Sequence, residues 1–105
     1  MTSKTKIIER IKAVANGFVP QAEVFLFGSR ARGTSKAASD WDVLVLLNVP
    51  AISFDTETQF MDQFYELELE TGAVISPLIY TKEQWNRQLA TPLFKNIQKE
   101  GIKLQ

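Results

Sequence analysis

Near the start of the chain, apolar residues recur at helical spacing. Ile7, Ile11 and Val14 form one stripe from Lys4 to about Asn16, Ile8 widens it, and Gly17 is placed to end the helix. The period then changes. Past Pro20, Ala22-Glu23-Val24-Phe25-Leu26-Phe27 is a β-branched and aromatic run that stops at Gly28, which predicts a strand. The next segment, Ser29 to Ser39, is polar, basic and rich in small residues. Trp41 to Leu47 is apolar on both alternating faces past Asp42, the pattern of a central strand covered by helices on one or both sides.

A loop through Pro50 leads to a helix predicted from about Asp55 to Thr71. There Phe60, Phe64 and Leu67 make the inward stripe, Met61 and Tyr65 extend it, and Leu69 is expected to turn inward with Leu67. Gly72 ends that helix. Ala73 to Tyr80 reads as a third strand, with Pro77 placing it at an edge or a bulge because proline donates no ladder hydrogen bond. Thr81-Lys82-Glu83-Gln84 has capping-box form and opens a short helix through Trp85 to Leu89. Thr91-Pro92 then starts a last helix carrying Leu93, Phe94 and Ile97, closed by Gly101. The fold class is α/β (α+β), a small mixed β-sheet packed by helices, expected as a single domain over residues 1–105 with one core.

Composition narrows the chemistry. Hydrophobic residues make up 45% and charged residues 23% of the chain, a balance that folds rather than stays disordered. Lys plus Arg equals Asp plus Glu at 12 each, so there is no general attraction to nucleic acid or an anionic membrane, and anion binding has to be local. The absence of both cysteine and histidine removes disulfides, thiol nucleophiles, the usual zinc sites and imidazole acid–base catalysis. Carboxylates, hydroxyls and cations remain. Met1 to Arg10 lacks the apolar centre of a signal peptide and no stretch reaches the length of a membrane span, so a cytoplasmic location is the expectation.

The chemistry concentrates in Phe27-Gly28-Ser29-Arg30-Ala31-Arg32-Gly33 and Asp40-Trp41-Asp42-Val43. Strand alternation sends Asp40 and Asp42 to one side and Trp41 to the other, where it packs. Two carboxylates held together repel each other, and a divalent cation such as Mg²⁺ relieves this while accepting phosphate oxygens. Gly28-Ser29 lies where a strand stops and a short helix can start, a junction that aims free N–H groups at an anion. Glycine permits close approach, the Ser29 hydroxyl can donate to a phosphate, and Arg30 or Arg32 can neutralise a leaving pyrophosphate; sequence does not rank the two arginines. Lys36 reads as a solvated loop cation.

Gly28, Ser29, Asp40 and Asp42 match the Gly-Ser, about ten residues, Asp-x-Asp signature, so the segment resembles the DNA polymerase β-type nucleotidyltransferase superfamily. More closely, the chain looks like the minimal nucleotidyltransferases of bacteria and archaea, from the first helix through Asn96-Ile97-Gln98-Lys99-Glu100-Gly101-Ile102. The resemblance implies a polymerase β-like nucleotidyltransferase fold. It also implies Mg²⁺ at Asp40 and Asp42, one ion or two, and transfer of a nucleotide from ATP or another nucleoside triphosphate.

Several members of that family pair with a HEPN-type toxin and act as its antitoxin by AMP transfer, so the resemblance implies such a partner here. A homo-oligomer is compatible with so small a domain. One departure stands out: the superfamily usually supplies a third carboxylate from a later strand, and Ala73 to Tyr80 contains no acid. Ser76, Glu68 and Glu70 are the residues open for that place. The missing acid motivates the alternative of a weakly catalytic, nucleotide-binding antitoxin or regulatory subunit that acts by complex formation.

Overall fold

The computed structural model describes residues 4–17, 22–36 and 39–104. The approach to the first strand at Pro20, the Ala37-Ala38 part of the polar loop, and the two chain ends of the 1–105 span lie outside them. In chain order the elements are α1 (Lys4–Asn16), β1 (Glu23–Phe27), α2 (Gly28–Arg32), β2 (Trp41–Leu47), α3 (Phe54–Thr71), β3 (Ile75–Thr81), α4 (Lys82–Asn86), α5 (Pro92–Glu100) and β4 (Ile102–Lys103). The sheet has the order β3-β2-β1-β4, with β1 antiparallel to both β2 and β4, and β2 parallel to β3. The sheet is therefore mixed, β2 is interior and the Pro77 strand is at an edge.

Period-two alternation along β2 sorts its side chains onto two covered faces. Val43, Val45 and Leu47 join Trp41, Val24 and Leu26 beneath α1 and α3, which contribute Ile7, Ile11, Val14 and Phe60, Phe64, Leu67. Leu44 and Leu46 face the other way and meet Trp85, Phe94 and Ile97 from α4 and α5. The sheet thus divides the core into two layers, which explains a strand apolar at every position past Asp42. In the second layer Trp85 stacks tilted against Phe94 at 4.9 Å and Tyr80 at 5.7 Å between ring centroids, so both aromatic residues pack as the helix signals implied.

Three expectations are corrected on α3 and one on α4. Met61, Tyr65 and Leu69 do not extend the inward stripe; they are 46%, 60% and 69% exposed. The sheet offers α3 one line of contact, already filled by Phe60, Phe64 and Leu67; Met61 and Tyr65 are one helical step of about 100° past Phe60 and Phe64, and Leu69 is two steps past Leu67. α4 ends at Asn86 rather than Leu89, because the backbone turns over Arg87–Ala90. The two-residue β4 was not anticipated at all; it pairs Ile102 with Leu26 and Lys103 with Phe25.

The helix starts follow side-chain caps. Ser53 accepts from the Thr56 N–H, Thr91 accepts from the Phe94 N–H, and Thr81 forms a full capping box with Gln84. Thr81 is 1% exposed, its hydroxyl accepting from Gln84 N and its own N–H donating to Gln84 Oε1, both at 3.0 Å. Thr81→Ala strips the cap in a buried place and is expected to cost about 1–2 kcal/mol of folding free energy, measured as a shift in the urea midpoint at unchanged slope. No loss would mean that α4 is held by Trp85 packing alone.

Candidate active site

The site forms at the edge where β2 and β3 begin and β1 ends. Register sets Asp42 beside Phe27 on β1 and beside Ser76 on β3. Asp42 shares its sheet face with Leu44 and Leu46, at the end of the layer that α4 and α5 cover. Asp40, just before the strand, is exposed, and the Ser76 hydroxyl donates to its Oδ2 at 3.2 Å.

Gly28 follows Phe27, so it comes directly against Asp42. A methyl group at Gly28 would overlap Asp42 Oδ2 and lie 3.2 Å from Cγ. Gly28 also has φ 70°, in the left-handed region, where it turns the chain from β1 into α2. Contact and backbone each call for glycine. Ser29, in the first turn of α2, is half-buried, and the cap residue Phe27 gives the first N–H groups of α2 no side-chain acceptor.

Burial lifts the Asp42 carboxyl above its ordinary value, the negative charge of Asp40 lifts it further, and Arg32 draws it partly back. The two arginines that sequence left unranked are separated by geometry. Arg32 is exposed, meets Glu100 at 3.2 Å and acts on Asp42 through its charge. Arg30 turns toward the loop instead. Its Nη2 donates to the Ser39 carbonyl at 2.8 Å, its Nη1 to Ser35 Oγ at 3.4 Å, and its guanidinium lies over the Trp41 ring at 4.4 Å. Arg30 therefore braces the segment that carries Asp40 against the start of β2. Lys36 is exposed, as expected of a solvated loop cation.

Among the described residues no group of three or more His, Cys, Asp or Glu is gathered. Of the three residues open for the missing acid, Glu70 is bound to Arg10 of α1 at 2.6 Å and Glu68 sits in the last turn of α3. Ser76 is the one brought to the carboxylates.

The family model for the nucleotidyltransferase domain matches residues 6–104. The chain belongs to that family. A candidate protein adenylyltransferase of Methanocaldococcus jannaschii is 32% identical over 79 residues, covering 75% of this chain and 73% of that protein. Among solved structures, a toxin–antitoxin complex with AMP-PNP matches with a TM-score of 0.67 at 19% identity, covering 93% of this chain and 72% of that one. A mutant of the toxin–antitoxin pair MntA–HpeT, with two aspartates two positions apart exchanged for glutamate, matches equally at 17% identity, with the same coverage. At these identities the solved structures establish a shared fold alone.

Within this nucleotidyltransferase domain, the structure brings Gly28 against Asp42 beside Asp40, three of the residues that the sequence singled out, and adds two relations that the sequence did not show. The Ser76–Asp40 hydrogen bond joins residues 36 positions apart, and only the parallel pairing of β2 with β3 reveals it. The Arg30 brace had a faint signal, an arginine upstream of a buried tryptophan, but nothing in the spacing distinguishes it from Arg32. Among the described residues no helix is long and apolar enough to cross a membrane.

Proposed function

We propose that this nucleotidyltransferase domain moves AMP from ATP onto a hydroxyl of a protein partner, a HEPN-type toxin, and so acts as its antitoxin. The observation that carries this reading is the convergence at one sheet edge of Asp40, Asp42 and the Gly28-Ser29 turn, with Gly28 in direct contact with Asp42. The M. jannaschii relative, named for protein adenylylation, and the toxin–antitoxin complexes that share the fold support the choice of acceptor. The exchanged aspartates in MntA–HpeT have the spacing of Asp40 and Asp42, which supports the reading of these two carboxylates as the site.

Asp40 and Asp42 would hold Mg²⁺. The donors fit: all are hard oxygens, and the lifted Asp42 carboxyl is a charge that a neighbouring cation would relieve. When bound, the ion supplies charge neutralisation at the phosphate oxygens. Gly28 makes room for the Asp42 carboxylate, while the uncapped N–H groups at the start of α2 and the Ser29 hydroxyl would donate to the triphosphate. Arg32, exposed and close enough to influence Asp42, stabilises the departing pyrophosphate, while Arg30 keeps the Asp40 segment in place. The acceptor oxygen bonds to the α-phosphorus, the bond to the bridging oxygen of pyrophosphate breaks, pyrophosphate leaves with the electron pair, and the hydroxyl proton is released. Ser76 orients Asp40 through its hydrogen bond.

A second reading is favoured by one observation: the side chain that β3 brings to Asp40 is the Ser76 hydroxyl, and among the described residues no third acid joins the two aspartates. In it the domain binds nucleotide, transfers slowly and restrains its partner by complex formation. Intact-mass spectrometry of the adjacent gene's product, incubated with this chain, ATP and Mg²⁺, separates the two. An added AMP mass that disappears with Asp40→Ala/Asp42→Ala is the expected result. A stable complex without added mass would replace the transferase reading with the second one.

A further inference from the structure

α3 carries a second apolar line that nothing in the described structure covers. By the 100° step of an α-helix, Phe54, Met61, Tyr65 and Leu69 fall within about 80° of arc, roughly 130° around from the buried Phe60, Phe64 and Leu67. Phe54 is 82% exposed, and the other three are the exposed residues noted above. Single exposed apolar side chains are ordinary, whereas four aligned along one helix mark a contact surface.

Charge identifies what fits this line. Glu57 and Glu68 border it on one side and Asp62 and Glu66 on the other. α3 contains six of the chain's 12 acidic residues, Asp55, Glu57, Asp62, Glu66, Glu68 and Glu70, and none of its 12 basic ones. Among the described residues only Glu70 of these six is in an ion pair, with Arg10. A second copy laying its own α3 here would set two such acidic rows against each other, and an anionic membrane would be repelled in the same way. An amphipathic helix with an apolar face between flanking Lys and Arg residues matches both the line and its borders.

Topology gives the surface a direction. α3 leads from the Leu47 end of β2 back to the start of β3, so Leu69 lies toward the edge that bears Asp40 and Ser76. Beyond it the Val74 carbonyl accepts the Trp41 N–H at 2.8 Å, which ties the exit of α3 to the segment between the two aspartates. A helix lying along α3 therefore points one end toward the end of the sheet at which Asp40 lies, from the face opposite the one that Asp42 shares with Leu44 and Leu46.

We propose that the Phe54–Met61–Tyr65–Leu69 line of α3 is the docking surface for an amphipathic, Lys/Arg-flanked helix of the protein acceptor, holding that acceptor with one end toward Asp40. This rests on the reading that the acceptor is a protein, but its first test involves no nucleotide. The probe is a fluorescein-labelled, lactam-stapled helical peptide of α3's own length, with leucines along one face and Lys and Arg beside them. Its control has Glu at every basic position. Anisotropy should show the basic peptide binding the wild-type chain, more weakly as salt rises.

Tyr65→Gln/Leu69→Gln should weaken that binding at least about tenfold. Asp62→Lys/Glu66→Lys, which reverses one acidic border and leaves Glu57 and Glu68, should weaken binding of the basic peptide and flatten its salt dependence. All four positions are exposed, and circular dichroism with the melting temperature verifies that the variants stay folded. With the acceptor protein, Tyr65→Gln/Leu69→Gln should lower AMP transfer while leaving ATP binding intact.

No binding of the basic peptide, or equal binding to wild type and both variants, would overturn the proposal. So would a wild-type dimer in sedimentation that Tyr65→Gln/Leu69→Gln dissociates, since a second copy would then be the occupant. Peptide recognition without any AMP transfer would instead sink the transferase reading and leave the surface standing.

Discussion

Asp42→Asn is expected to lower nucleotide transfer by about a thousandfold, close to 4 kcal/mol of transition-state stabilisation, while raising the melting temperature of the metal-free chain at neutral pH. The two effects have one origin. Burial and the Asp40 charge disfavour the ionised Asp42 carboxyl in the folded state, so its folded pKa lies above the unfolded value of about 3.9. Below that unfolded value the carboxyl is neutral in both states and costs nothing. As pH rises through the folded pKa the native state holds on to a proton that the unfolded chain has already released, and the fold loses stability.

Asparagine carries no charge to disfavour. The variant should therefore gain on wild type as pH climbs from 3 to 7, and the gap should close again in strong acid. Thermal melts across that range, beside single-turnover transfer assays, read both effects. Transfer at the wild-type rate would remove Asp42 from the chemistry, and a lower melting temperature at neutral pH would show that its charge is stabilised rather than tolerated.

The second large effect is expected from Gly28→Ala. An L-residue at φ 70° costs about 1–2 kcal/mol, and the added methyl cannot coexist with the present position of Asp42 Oδ2. The carboxylate has to swing away or the β1–α2 turn has to open. Because transfer depends on placement, a shift of about 1 Å is enough to cost roughly a hundredfold in rate. Gly72→Ala is the matched control: Gly72 has φ 75°, but a methyl there meets nothing within 4 Å. It should show the same kind of backbone penalty in a denaturation curve and keep near-normal transfer. If both variants lose transfer alike, the contact between Gly28 and Asp42 is not what holds the site.

The candidate residues and the fold differ in how far they could be read before folding. Gly28-Ser29 and Asp40-x-Asp42 are local signals: a glycine that ends a strand and two acids at strand spacing state their geometry within a few residues. Their being neighbours is not local. Phe27 and Asp42 become partners only through the antiparallel pairing of β1 with β2, and that pairing turns Gly28 from a turn residue into the wall behind a carboxylate.

The same distinction accounts for the arginines. Both stand in α2, two positions apart, and the sequence treats them alike; the loop that returns past Ser35 and Ser39 captures Arg30 and leaves Arg32 facing the site. On α3, periodicity correctly named Phe60, Phe64 and Leu67 because three residues at helical spacing are enough to define a buried line. It placed Met61, Tyr65 and Leu69 wrongly because apolar character does not say how wide the receiving surface is.

By itself, then, the chain determined what depends on neighbours a few positions apart: the helices and three longer strands, the caps at Thr81 and Thr91, the interior place of β2, the edge place of the Pro77 strand and the candidate residues for phosphate chemistry. Only the tertiary structure decided what depends on long-range pairing. It set Ser76 rather than Glu68 or Glu70 beside Asp40, split the core across the sheet, added β4 and left one side of α3 uncovered. Propensity and periodicity act over one or two turns of chain, whereas register and packing are settled by which distant segments can bury the same apolar surface together.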